Sequence, residues 1–377
     1  MRCVRKEEAF AYLEAARSAV CHGAMNMQAR PQRMDDEDVR PRDFVRIGLI
    51  GAGAMGRDHA ARIVNRVGAA RLRAVSDVDA ALAERTAATA ADCRVEADPF
   101  ALIAAEDVDA VLIATPGETH EAFVHACLER DLPVFCEKPL ALTSAAALRI
   151  VEAEQALGHR RIQVGFMRHY DAQYMQLHAT LASNRLGMPI MLHCVHRNPS
   201  MPSWFTQRMV ITDALVHEFD VTRWLLGQEI TTITVLHQRD SDTPPGDKPQ
   251  PQLIIFRMSD NTLVDVEVSC FAGFGYQVRC EAVCTQGTMM IGTPNGSIVQ
   301  YEGHSSREIT QNFQSRFAQA YDLEIQTWAN SIRSETPTGP SAWDGYAAAA
   351  AADAGSVAQQ ADGWVPVPMA KRPALYR

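Results

Sequence analysis

A glycine-rich turn near residue 50 constrains the fold of this chain more than any other feature. A short apolar run over residues 45–50 leads into Gly51-Ala52-Gly53-Ala54-Met55-Gly56, and a helical pattern follows from Arg57 to Val67. An extended run then ends on Asp77, twenty-one residues after Gly56. A strand, a Gly-x-Gly-x-x-Gly turn, a helix and an acid at this spacing are typical of a dinucleotide-binding unit. The motif therefore predicts an N-terminal Rossmann domain.

Each part of this unit has a chemical role in the predicted cofactor site. Gly51 permits the tight turn, Gly53 lets the backbone approach a pyrophosphate, and Gly56 lets the helix pack close to the strand. The first helical turn, with Ala54 and Met55, offers N–H donors and a partial positive charge to the phosphates. The acid that ends the second strand can accept hydrogen bonds from the ribose hydroxyls. Its charge would repel a 2′-phosphate, so the predicted cofactor is NAD.

Length, composition and cysteine usage fit a soluble, cytoplasmic protein with two domains. The chain has 377 residues, of which 47% are hydrophobic and 21% charged, as in ordinary globular proteins. A net charge of −9 argues against binding to nucleic acid or to an anionic membrane surface. The nine cysteines form no Cys-x-x-Cys pair or zinc-like cluster, so reduced thiols and no metal site are expected. The expected partner is a small molecule.

The pattern along the chain predicts four segments. Residues 1–43 form an N-terminal extension that we expect to be peripheral or disordered, apart from a helix over Glu7–Val20. Residues 44–165 alternate strands and helices, which predicts a parallel sheet covered by helices on both faces. Residues 166–338 predict an α+β domain with a large open, mostly antiparallel sheet. Residues 339–377 contain an alanine-rich helix, expected to pack back on the Rossmann domain.

Two residue pairs follow buried strands of the predicted Rossmann domain. Thr115-Pro116 ends one strand and Glu137-Lys138 ends the next. Ligands of parallel sheets bind beyond the carboxyl ends of the strands, so all four residues are predicted cofactor contacts. A lysine at this edge can also polarise a substrate hydroxyl. A surface ion pair between Lys138 and Glu137 is the alternative.

The segment Thr212-Asp213-Ala214-Leu215-Val216-His217-Glu218-Phe219-Asp220 predicts a helix with Thr212 as its N-cap. Asp213 and His217 would then lie four residues apart on one helical face. A carboxylate beside an imidazole orients the ring and raises its proton affinity, which suits a general base for alcohol oxidation. An exposed ion pair without a catalytic role is the alternative.

Other polar side chains follow strand ends and could face a polyhydroxylated ligand. Arg168 and Tyr170 follow the strand over residues 162–166, Asn198 follows Arg197, and Tyr276 follows Gly275. Each of them alone could equally be structural.

Together these motifs resemble the glucose–fructose oxidoreductase, inositol dehydrogenase and rhizopine catabolism (Gfo/Idh/MocA) family. The likeness extends from Val45 to the C-terminus. It rests on the glycine turn, Glu137-Lys138-Pro139 and Asp213-x-x-x-His217 in that order. The stretches 164–171 and 196–199 are most similar to the inositol-oxidising branch of the family.

The resemblance implies a catalytic triad of Lys138, Asp213 and His217, with His217 as the proton acceptor. It implies that Arg168, Asn198 and Tyr276 help the triad to hold a cyclitol, and that NAD oxidises a ring hydroxyl to a ketone. The expected substrate is myo-inositol, oxidised at its 2-position.

Members of the family usually form dimers or tetramers through faces of the second-domain sheet, so a homo-oligomer is expected. Oxidation of another polyol or sugar, such as scyllo-inositol, glucose or xylose, stays open. A non-catalytic NAD-binding sensor is a further alternative. The sequence leaves the direction of the reaction and the subunit count undecided.

Overall fold

The computed structural model describes residues 44–237, 250–292 and 298–377. The predicted helix over Glu7–Val20 lies outside the described residues. The helices and strands are, in chain order, β1 (Val45–Ile50), α1 (Ala54–Asn65), β2 (Ala70–Ser76), α2 (Ala80–Ala87), β3 (Arg94–Val95), α3 (Pro99–Ala104), β4 (Ala110–Ile113), α4 (His120–Glu129), β5 (Val134–Glu137), α5 (Ser144–Leu157), β6 (Ile162–Gly165), α6 (Ala172–Ala182), β7 (Pro189–Arg197), α7 (Gln207–Met209), α8 (Val216–Leu226), β8 (Ile230–His237), β9 (Gln252–Met258), β10 (Leu263–Ser269), β11 (Gln277–Cys284), β12 (Gly287–Ile291), β13 (Ile298–Tyr301), β14 (His304–Arg307), α9 (Phe313–Arg316), α10 (Ala318–Arg333), α11 (Ala342–Ala358) and β15 (Val365–Pro366).

These elements form two compact units. The nucleotide unit contains the described residues up to Cys136 together with Ile325–Thr338. The sheet unit contains Glu137–Glu324 and Gly339–Arg377. These two units are compact parts of the fold and do not test the domain bounds. The bounds predicted at residues 165 and 338 stay a prediction.

In the nucleotide unit, parallel strands lie in the order β3-β2-β1-β4-β5. Strand β1 lies between β2 and β4, where the direction of the strand order reverses. Its inward residues Ile47 and Leu49 are fully buried and pack in one core with Trp328 of α10. Continuous apolar strands of this kind are expected where helices cover both faces of a sheet. The predicted Rossmann fold is confirmed.

In the sheet unit, seven strands lie in the order β12-β11-β7-β10-β9-β8-β15. Strands β7 and β10 are parallel, and the other neighbouring pairs described by register are antiparallel. Burial alternates along β9, β10 and β11, so one face is covered and the other is open. On the covered face, Phe219 of α8 packs edge-on against Phe256 of β9. The predicted large, mostly antiparallel sheet is confirmed.

The prediction that a helix begins after Thr212, with Thr212 as its N-cap, is wrong. Residues Val210–Ala214 form a π-helical turn, in which the Leu215 N–H bonds to the Val210 carbonyl, and α8 begins only at Val216. Thr212 instead contacts the Arg208 carbonyl through its hydroxyl, at 3.4 Å. Helix α8 is buried from Val216 to Arg223, so it lacks the polar face expected of a surface helix.

Residues 313–333 form two helices, α9 and α10, which are divided at Phe317. Within the described ranges, no helix has the length and apolar character needed to cross a membrane.

Candidate functional site

The glycine turn of the nucleotide unit is held between the ends of two strands. The Gly51 N–H donates to the Ser76 carbonyl, and the Ala114 N–H donates to the Ile50 carbonyl, both at 2.8 Å. Gly51 has φ +95°, and a Cβ atom there would lie 2.6 Å from the Ala114 carbonyl oxygen and 2.9 Å from Thr115 Cγ2. Only glycine fits this conformation without strain, and the close approach places Thr115 beside the turn.

The second and third glycines of the motif differ in the space around them. A Cβ atom on Gly56 would lie 1.9 Å from the Gly51 carbonyl oxygen, whereas one on Gly53 would meet nothing within 4 Å. Gly53 is the N-cap of α1, offers no side-chain cap, and no acid occupies the first turn. The N–H groups at the start of α1, where Ala54 and Met55 lie, are therefore suited to bind phosphate. The residues present fit a dinucleotide.

Asp77 lies at the turn, as the spacing requires. Its Oδ2 accepts a hydrogen bond from the Ala52 N–H at 2.5 Å, and its Oδ1 accepts one from the Asp79 N–H at 2.8 Å. These two bonds fix a negative charge next to the glycine turn.

At the end of β4, hydrogen bonds hold the turn that contains Thr115 and Pro116. Thr119 Oγ1 bonds to Thr115 Oγ1 at 2.7 Å and to the Pro116 carbonyl at 2.9 Å. The individual cofactor contacts assigned to these residues, to the glycines and to Asp77 stay predictions.

In the sheet unit, Lys138 is paired with Asp213 and not with the Glu137 carboxylate. Lys138 Nζ donates to Asp213 Oδ1 at 2.6 Å and to the Asp213 carbonyl at 3.3 Å. Glu137 Oε2 accepts from the Lys138 backbone N–H at 3.1 Å. The Lys138 and Asp213 side chains are 22% and 32% exposed, so a ligand hydroxyl can reach the ammonium group.

His217 lies in a buried environment that opposes protonation. Its residue is 9% exposed, and its Nδ1 has no hydrogen-bond partner among the described residues. Burial, followed by the charges of Arg168 and Lys138, holds the pKa of His217 well below its usual range. The expectation that Asp213 raises the proton affinity of this ring is wrong, because the Asp213 carboxylate bonds to Lys138. His217 is a neutral imidazole at neutral pH and can accept a proton.

A chain of polar contacts lies in the same region of the sheet unit. Arg168 Nη1 donates to Glu218 Oε1, and both side chains are 1% exposed. His196 Nδ1 lies 3.0 Å from Glu218 Oε2, and Asn198 Nδ2 lies 3.3 Å from His196 Nε2. Although burial favours the neutral acid, Arg168 and His196 hold the pKa of Glu218 below its ordinary value. Glu218 is therefore a buried carboxylate.

The remaining predicted ligand contacts belong to this chain or border it. The ring of Tyr276 packs edge-on against that of His196, with centroids 6.0 Å apart. Burial, opposed by the Arg168 charge, raises the pKa of Tyr276 to about 12, so its hydroxyl stays protonated and can donate. Arg168 is enclosed by protein groups, and a direct contact with a ligand stays a prediction. The hydroxyl of Tyr170 is buried beside Gly339, with no hydrogen-bond partner in the described structure.

Two residues of this region, His196 and Glu218, were not singled out from the sequence. His196 was part of a motif resembling the family, and Glu218 directly follows His217. Their contact joins strand β7 to helix α8, which no local spacing reveals. Among the residues that the structure describes, no cluster of His, Cys, Asp or Glu has metal-site geometry, and seven cysteines are free thiols.

Comparison with known protein families agrees with this geometry. Residues 45–166 match a model described as an oxidoreductase family with an NAD-binding Rossmann fold. Residues 174–290 match the GFO/IDH/MocA C-terminal domain.

Individual proteins are similar over most of the chain. Inositol 2-dehydrogenase 4 of Saccharopolyspora erythraea is 49% identical over 332 residues, covering 88% of this chain and 98% of its own. The Lactobacillus casei myo-inositol dehydrogenase, solved with NAD(H) and myo-inositol, has a TM-score of 0.86 at 35% identity, covering 89% and 100%. The apo scyllo-inositol dehydrogenase of the same organism has a TM-score of 0.80 at 25% identity, covering 87% and 99%. The chain belongs to the GFO/IDH/MocA family of NAD-dependent oxidoreductases.

Proposed function

We propose that this member of the GFO/IDH/MocA family oxidises a ring hydroxyl of a cyclitol to a ketone, with myo-inositol oxidised at its 2-position as the preferred reaction. The observation that carries the proposal is a neutral, buried His217 in the same unit as the half-buried ion pair of Lys138 and Asp213. The names of the relatives support the choice of inositol.

Alcohol oxidation removes a hydride and a proton from the substrate, and NAD, when bound, supplies the hydride acceptor. We assign the proton to His217, because its imidazole is neutral at neutral pH. The Lys138 ammonium would donate a hydrogen bond to the substrate oxygen and stabilise negative charge as it develops there. Asp213 would hold Lys138 in place through the 2.6 Å contact. These three residues are the proposed catalytic triad.

The binding assignments belong to the same proposal. Phosphate binding is assigned to the turn of Gly51, Gly53 and Gly56 with the first residues of α1, and ribose binding to Asp77. The other proposed cofactor contacts are Thr115, Pro116, Glu137 and Lys138. Arg168, Asn198 and Tyr276, with the triad, are the proposed contacts of the cyclitol.

NADH formation with a panel of polyols tests the proposal. Purified protein with NAD is assayed with myo-inositol, scyllo-inositol, glucose and xylose, and the product is identified by chromatography. The expected result is the highest kcat/KM for myo-inositol and a 2-ketone product. A higher kcat/KM for scyllo-inositol would favour the second candidate, which the similarity to the scyllo-inositol dehydrogenase supports. No NADH from any polyol would contradict both and favour an NAD-binding sensor.

We further propose that the protein is cytoplasmic. We also propose that it forms a homo-oligomer through the open face of the seven-stranded sheet. Leu236 and Leu253 are paired across β8 and β9 and are 46% and 38% exposed. Adjacent apolar side chains on an open sheet face favour a second copy as the covering partner. Light scattering is expected to give a dimer or tetramer, and Leu253→Glu is expected to dissociate it. A monomer at micromolar concentration would contradict the assignment.

A further inference from the structure

The ion pair of Arg168 and Glu218 is almost fully buried, and a contribution to the stability of the fold does not explain why a charged pair lies there. Both side chains are 1% exposed. Removing two charges from water commonly costs as much as their attraction returns, so apolar residues of similar size would stabilise the fold equally well. Glu218 directly follows His217, the proposed proton acceptor, in the sequence. The position of the pair therefore indicates a functional role.

The first part of that role concerns the tautomer of His196. The amide nitrogen of Asn198 can only donate, so His196 Nε2, at 3.3 Å, must accept. The ring proton of His196 is then on Nδ1, where Glu218 Oε2 accepts it at 3.0 Å and is closer than Arg168 Nη2, which lies 3.4 Å from the same nitrogen. Because a carboxylate can only accept, Glu218 permits this tautomer and no other neutral one. The side-chain nitrogen of Asn198 thereby donates to His196, and the side-chain oxygen Oδ1 of Asn198 remains as the acceptor for a ligand hydroxyl.

The second part concerns the charges around His217. The positive groups that oppose its protonation are Arg168 and Lys138. Glu218 and Asp213 supply the negative charges bonded to this set, Glu218 to Arg168 and Asp213 to Lys138. Removing either member of the Arg168–Glu218 pair would leave the other charge uncompensated close to His217.

We propose that Arg168 and Glu218 are positioning residues, which fix the tautomer of His196 and the charge balance around His217. This rests on the proposed function, in which His217 accepts the substrate proton.

The pH profile of kcat/KM separates this role from a structural one, because the two single variants have opposite signs. In Glu218→Gln the Arg168 charge is uncompensated, so His217 is harder to protonate and the acidic limb moves to lower pH by about one unit. In Arg168→Met the Glu218 charge is uncompensated, and the limb moves to higher pH by about one unit. The double variant removes both charges, and its limb lies between those of the single variants.

The same variants separate binding from turnover. A glutamine at position 218 can donate as well as accept, so the tautomer of His196 is no longer fixed. KM for the cyclitol is then expected to rise about tenfold in Glu218→Gln, the equivalent of one lost hydrogen bond.

Glu229→Gln is the matched control, because Glu229 pairs with the buried Arg223 of α8 at 2.6 Å. It is expected to lower stability without moving the limb or KM. Limbs of the two single variants that move in the same direction, or do not move in folded protein, would overturn the proposal.

A spectroscopic measurement tests the tautomer without variants of the pair and without turnover. In protein labelled with 15N-histidine, the ring nitrogens of His196 are assigned by their loss in His196→Gln. A protonated Nδ1 at neutral pH is the expected result, and a protonated Nε2 would overturn the proposal even if the single variants fail to fold. If the wild-type protein oxidises no cyclitol, the proposed function fails, while this measurement still decides the tautomer.

Discussion

The glycine turn of the nucleotide unit and the Lys138–His217 region of the sheet unit are built in different ways. The turn is a backbone structure, made within six consecutive residues and closed by the ends of β2 and β4. The second region is made of side chains that belong to β7, to α8 and to the segments after β5 and β6. A backbone site depends on local sterics, whereas a side-chain site depends on burial and charges that distant segments supply.

The two regions also treat charge differently. The Asp77 carboxylate accepts hydrogen bonds from two backbone N–H groups close to it in the fold. His217 instead faces the positive charges of Arg168 and Lys138, and its Nδ1 has no hydrogen-bond partner among the described residues. Substitutions in the first region should therefore change cofactor affinity, and substitutions in the second should change turnover and its pH dependence.

The largest expected effect comes from His217→Ala. Removing the proton acceptor should lower kcat by a factor of about 10² or more, while the affinity for NADH, measured by fluorescence titration, stays near that of the wild type. His159→Ala, at an exposed position of the same unit, is the control and should keep its activity. Near-normal turnover in His217→Ala would refute the assignment of the base.

The glycine turn is tested by a matched pair, Gly56→Ala and Gly53→Ala. In Gly56→Ala the new Cβ meets the Gly51 carbonyl oxygen at 1.9 Å, so the backbone must shift and the free energy of unfolding should fall by about 2 kcal/mol. In Gly53→Ala the added methyl group meets nothing within 4 Å. That variant should keep its stability and lose NADH affinity by about tenfold, because the methyl group occupies space needed by the pyrophosphate.

Thermal unfolding without cofactor and NADH titration measure the two quantities separately. Equal melting temperatures for the two glycine variants would contradict a backbone-built turn.

A smaller change is expected in cofactor preference at Asp77. Asp77→Asn keeps an oxygen that can accept from the Ala52 N–H but removes the charge that repels a 2′-phosphate. The ratio of kcat/KM for NAD to that for NADP should fall by about tenfold. Kinetics with both cofactors at equal ionic strength measure this ratio. An unchanged ratio would show that repulsion by Asp77 does not select the cofactor.

The smallest effect is the pH dependence of stability contributed by His217. Its pKa in the folded protein is well below the ordinary value of 6.5, so below pH 6.5 the unfolded chain binds a proton that the folded chain does not. The contribution is fully present above that pH and is lost as the pH falls toward the folded pKa. Denaturant unfolding between about pH 7 and about pH 5 should show a smaller loss of stability in His217→Ala than in the wild type. Equal losses of stability in the two proteins would show that His217 is not the residue whose lowered pKa causes the loss.

Features that depend on neighbouring residues could be predicted from the amino-acid sequence. The spacing of Gly51, Gly56 and Asp77 requires a tight turn followed by an acid, and the structure places the acid at that turn. The alternation of strands and helices likewise predicted the Rossmann fold, and the run of strands predicted the second sheet. These patterns are readable because sterics and the periodicity of burial act over a few residues.

The hydrogen bonds and charges of the side chains in the sheet unit could not be predicted from the sequence, and the folded structure was needed to find them. It placed Asp213 in a π-helical turn bonded to Lys138, buried α8 almost all round, and joined Glu218 to His196 and Arg168. It also reversed the predicted effect on His217, whose pKa is lowered and not raised. Desolvation and Coulomb interactions depend on distances between segments far apart in the chain, and residue spacing does not contain those distances.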